Sequence, residues 1–195
     1  MKAYLGDAEL KTFLLEQLQW HHDQDKITKG AYKTDDGKFC AVGCTLEAVA
    51  RRNGKWPKGI DHANHALYES ELGIPAQLAH LQDAIFEGLP EPDYLDWPQQ
   101  FAAAIKPGAD LSGVWPKFVV SLLTDPSGPV WPQVQGTQWE AQRTAIKNVA
   151  KLYREGIPST RAAEGAALVA RAAEAAARAA RAAAAAARAA EAAWA

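Results

Sequence analysis

The stretch "GKFCAVGCTLEAVARRNGKWPKGIDHANHALYESELGIP", residues 37–75, holds both cysteines of the chain and two of its five histidines. Its first half decides the fold class. Val42, Leu46 and Val49 recur at helical spacing after Cys40, and no alternating, strand-like run competes with them. The reading is a helix that starts near Cys40 and is stopped by "NGKWPKG". Cys40 and Cys44 then lie one turn apart on a shared face.

Helical spacing continues on both sides. Upstream, a first helix runs from about Asp7 to Asp25, with Asp7 as N-cap and Leu10, Phe13, Leu14, Leu18 and His21 as its stripe. The segment "TKGAYKTDDGKF" reads as a loop or short hairpin turning at Asp-Gly. Downstream, Asp61 caps "HANHALYESEL", which ends at Gly73, and Pro75 opens "AQLAHLQDAIFEGL", which ends at Gly88. "DYLDWPQQFAAAI" and "VWPKFVVSLL" are two further helices, and "DPSGPVWPQVQGTQ" marks a boundary before a last one from Trp139 to Arg154. Four of the seven tryptophans, Trp56, Trp97, Trp115 and Trp131, precede a proline and read as helix-start corners packed on the core. The expected fold is all-α: a compact bundle of about six or seven short helices over residues 1–157, then a long alanine-rich helix over 158–195.

The totals agree with a protein of this kind. Apolar residues make up 48% of 195, enough for a core. A net charge of −2 argues against the basic field of a nonspecific nucleic-acid binder. No uncharged apolar run of about 18 residues is present, so no membrane association is expected. The first residues turn acidic at Asp7 and do not read as a signal peptide. The expected location is the cytoplasm, where two cysteines four apart stay reduced.

From Arg161 on, the chain is alanine with sparse charges. Glu164, Arg171 and Arg178 are seven apart, as are Glu174, Arg181 and Arg188. On a helix these six share a stripe and leave a broad alanine face opposite. Such a face suits close helix packing, so residues 159–195 are read as a surface for homo-oligomerisation or a protein partner.

The Cys–His stretch supports three readings. In the first, Cys40 is a nucleophile at a helix N-terminus, His62 or His65 is its base, and Glu69 or Asp61 orients the ring. His21, His22 and Asp23 are further candidates for the relay. In the second, Cys40, Cys44, His62 and His65 bind zinc, although a helix rather than a turn supplies the cysteines. In the third, the cysteines are core residues and no cofactor is bound. The carboxylates Glu69, Glu71, Asp83 and Glu87 lie on two successive helices. If these pack as a hairpin, Glu69 and Asp83 face one another or His80. No Gly-x-Ser-x-Gly, phosphate-binding glycine loop or His-Glu-x-x-His occurs.

At "CAVGCTL", "HALYESELGIP", "AIFEGLP" and a following "WP", the sequence resembles a family of uncharacterised small proteins of bacteria and their phages, over roughly residues 1–125. The alanine-rich end resembles tails found on some of its members. The resemblance brings no activity, cofactor or catalytic residue, and implies a cytoplasmic accessory protein from a mobile element. The leading expectation is therefore a helical binding protein. The helical core would present a polar pocket near Cys40, Cys44, His62, His65 and Glu69, for which the sequence names no small-molecule ligand, and the tail would serve association. A cysteine-dependent hydrolase or transferase is the alternative, and a zinc-stabilised module the third.

Overall fold

The computed structural model of the protein describes residues 1–54 and 61–156. Among these residues the secondary structure is helical, with seven α-helices and no strand beyond two isolated bridges. The all-α expectation is met. The alanine-rich helix, its role in association and the corner at Trp56 lie outside the described residues.

Two compact units divide the chain after Ser112. In the first, α1 (Ala8–Asp23) begins where expected: the Asp7 carboxylate accepts from the N–H groups of Glu9 and Leu10 at 2.8 and 3.1 Å. Leu10, Leu14, Leu18 and His21 are its buried stripe. The central helix is α2 (Ala41–Arg52), in which every residue from Ala41 to Ala50 is buried. A helix apolar nearly all round has to be covered on all sides. Here α1, α3 (Leu67–Leu72), α4 (Ala76–Gly88) and α5 (Asp93–Ala104) all pack against it.

The helix expected over "HANHALYESEL" is shorter than its pattern suggests. Asp61 Oδ1 accepts from Ala63 N–H and Asn64 Oδ1 from Ala66 N–H, so side chains take the backbone donors that a helix would use. The helical turns begin only at Leu67. Gly73 ends them in the left-handed region (φ +62°), where a Cβ would stand 2.1 Å from the Lys2 carbonyl oxygen. Pro98 lies inside α5 rather than at its start, and Trp97 donates its indole N–H to the Gln82 carbonyl at 3.0 Å.

The second unit, from Gly113 on, pairs α6 (Val114–Thr124) with α7 (Glu140–Glu155). Val119, Leu123, Val134, Ile146 and Val149 form its core, with Trp115, Trp131 and Trp139 packed around them. The proline- and glycine-rich stretch expected to mark a boundary instead folds into this unit, contributing Val130, Trp131 and Val134 to the cluster.

Candidate functional site

The loop from residue 24 to 39 is laid across the N-terminus of α2. Phe39 N–H donates to the Lys26 carbonyl, Thr28 N–H to the Phe39 carbonyl and Cys40 N–H to the Ala31 carbonyl, at 2.8, 2.9 and 3.2 Å. Cys40 is the N-cap of α2, its sulfur accepting from Gly43 N–H at 3.4 Å. A thiol thus occupies the position that a serine or aspartate usually fills. Cys44, one turn on, directs its thiol at the Phe39 carbonyl at 3.7 Å.

Both cysteines are buried. Burial pushes the Cys40 thiol up to about 12, the Gly43 N–H opposing the rise and the nearby charge of Asp83 adding to it. Cys44 is raised well above its ordinary value, again by burial first. Both groups are neutral thiols at physiological pH, in surroundings unlike those that activate a cysteine.

The carboxylates come from α4. Asp83 and Glu87 are four residues apart and share a face. Asp83 Oδ2 accepts from the Tyr32 hydroxyl at 3.1 Å, and His65 Nε2 stands 3.3 Å from the same oxygen. The other ring nitrogen of His65, Nδ1, is 3.0 Å from the Ala63 carbonyl, so both nitrogens face acceptors. The buried ring of His65 stacks on His80, with centroids 3.9 Å apart. Glu87 accepts from Gly30 N–H at 3.1 and 3.2 Å, while Lys29 caps the carbonyls of Glu87 and Leu89 at the end of α4. Burial, then the charge of Asp83, raises the Tyr32 phenol, which keeps its proton and remains a donor.

Between loop and helices is a cavity of about 200 Å³ lined by Gly30, Ala31, Tyr32, Cys40, Asp83 and Glu87. No lysine or arginine is among these lining residues. Of the residues expected to form a site, Cys40 is at this cavity and His65 reaches it through Asp83. His62 lies against the ring of Phe39, at 5.4 Å between centroids. Glu69 Oε1 accepts from Ala76 N–H at 2.9 Å, at the first turn of α4. Among the described residues no group of three or more His, Cys, Asp or Glu is arranged to hold a metal ion, so Cys40, Cys44, His62 and His65 are not gathered as a ligand set.

A second polar cluster escapes the sequence reading. His21 and Glu47, both fully buried, meet at 2.5 Å between Nε2 and Oε2. Arg51 closes on the other oxygen with Nε at 2.8 Å and Nη2 at 2.5 Å, and its guanidinium lies 4.9 Å from the Trp20 ring. Burial raises the Glu47 carboxyl, but the hydrogen bonds from His21 and Arg51 outweigh it and hold the group below its ordinary value. The available signal was a lone carboxylate inside an apolar helix with an arginine four residues on. No helix of the described residues is long and apolar enough to cross a membrane. In comparisons with known proteins, no family model, curated protein or solved structure matches this chain.

Proposed function

We propose that this protein is a helical binding protein of the accessory kind expected for a phage or mobile element, and that its first unit takes a small cationic ligand in the cavity under the Gly30–Tyr32 loop. The observation that supports this reading is the composition of the cavity wall. Two carboxylates, Asp83 and Glu87, face the space, with a phenol and a neutral thiol beside them and no cation among the lining. Each carboxylate has lone pairs beyond those engaged by Tyr32, His65 and Gly30. A donor-bearing cation would complete them. A cavity of about 200 Å³ suits a small ligand such as methylguanidinium or a short diamine.

Calorimetric titration tests this with methylguanidine and 1,4-diaminobutane as probes. Binding is expected, and Asp83→Asn or Glu87→Gln should weaken it at least about tenfold while leaving the fold intact. Acetamide and acetate, which lack the charge or reverse it, should not bind. Absence of binding by either cation, or equal binding by acetate, would overturn the reading.

A further inference from the structure

The second unit presents a different surface. Helix α6, "VWPKFVVSLLT", carries one charge, Lys117, among seven large apolar residues. A helix so apolar is expected to be covered all round, yet only Val119 and Leu123 are buried, while Val114 and Leu122 are 40% and 37% exposed. Beside it, α6 and the C-terminal turn of α7 border an open groove of about 610 Å³. Pro116, Val120 and Tyr153 give its lining apolar surface, and Lys117 and Arg154 are the two cations among the lining residues. Neither cation is held in an ion pair among the described residues.

The charge of the chain is divided in the same sense. Among the described residues from Gly113 on, five Lys and Arg oppose three Asp and Glu, a net +2, and over the whole sequence from there ten oppose six. Before it, eleven oppose seventeen, a net −6. The chain's overall −2 therefore conceals a basic second half.

We infer that the α6–α7 groove is a docking surface for an acidic amphipathic helix of a partner protein. An apolar trough bordered by two helices accepts apolar side chains at i, i+3, i+4 and i+7 of a third. The two lining cations, Lys117 and Arg154, select glutamate or aspartate on that helix and disfavour a basic one. The predominantly apolar wall distinguishes this partner from a nucleic acid, whose phosphates call for a polar, basic track.

Fluorescence anisotropy on the full chain tests the inference. The probe is a labelled synthetic helix with leucine at the groove-facing positions and glutamate on its flanks. It should bind, and the same helix with lysine for glutamate should bind at least about tenfold more weakly. The double variant Lys117→Glu, Arg154→Glu should lose binding by a similar factor, whereas Lys117→Arg, Arg154→Lys should retain it. Added salt should weaken the wild-type complex, a readout independent of how well the charge-reversed variant folds. The inference is overturned if the acidic helix does not bind, or if the basic helix binds equally. It is likewise overturned if single-stranded DNA binds and the charge reversal abolishes that binding.

Discussion

Gly43 of α2 passes so close beneath Tyr32 that a Cβ on it would stand 1.9 Å from the Tyr32 carbonyl oxygen. The obstacle is backbone, held by the hydrogen bond from Cys40 to Ala31. The loop that roofs the cavity can therefore lie where it does only over a residue without a side chain.

Gly43→Ala should accordingly displace this loop. Overpacking of this kind costs about 1–3 kcal/mol, partly offset by the better helix propensity of alanine. Urea denaturation should give a lower midpoint for the variant, and the Tyr32 amide should shift in its NMR spectrum. A variant as stable as the wild type, with that amide unmoved, would contradict the packing described.

Cys40 and Cys44 should resist alkylation in the folded protein. Burial has pushed Cys40 up to about 12 and Cys44 well above its ordinary range, so neither supplies thiolate between pH 6 and 8. Iodoacetamide labelling followed by mass spectrometry should be slow for both until denaturant is added. Fast labelling of Cys40 below pH 7 would instead mark an activated thiol.

The His21–Glu47–Arg51 cluster should carry much of the stability of the first unit. Removing one partner of a buried ion pair costs about 3–5 kcal/mol, so Glu47→Gln should lower the melting temperature markedly. The folded pKa of Glu47 lies below its unfolded value, so its contribution is present above about pH 4.5 and is lost as acid protonates it. The histidines act in a higher window. His62 is lowered by burial and then by Lys33, and His80 by burial and then by His65. The unfolded chain takes up protons that these folded rings refuse, so stability falls as pH drops below about 6.5. Thermal melts from pH 8 to 3 should show both declines, and the lower one should be smaller in Glu47→Gln. A melting temperature that rises between pH 7 and 5.5 would contradict the assignment.

What the sequence made legible was local. Asp7 as a cap, Gly73 as a helix end, and the buried stripe of α1 follow from chemistry within a few residues. The shared face of Asp83 and Glu87 follows from their spacing alone. The cavity needed long-range information: Gly30 and Glu87 meet across 57 residues, and no periodicity places a loop over a helix end. Glu47 stands out in sequence only as a lone carboxylate in an apolar helix, and its burial follows from α2 being covered on every side. Glu69 and His62 sit in the same stretch as His65, but one is engaged by the start of α4 and the other by Phe39.

The Tyr32–Asp83–Glu87 cavity is proposed to take a small cation. The most direct test is an amide NMR titration of the full chain with methylguanidine. Shifts should saturate and concentrate on Gly30, Ala31, Tyr32, Cys40 and Gly43, and in Asp83→Asn should need at least about tenfold more methylguanidine. Unchanged amides at these positions, or an identical titration in Asp83→Asn, would contradict cation binding in this cavity.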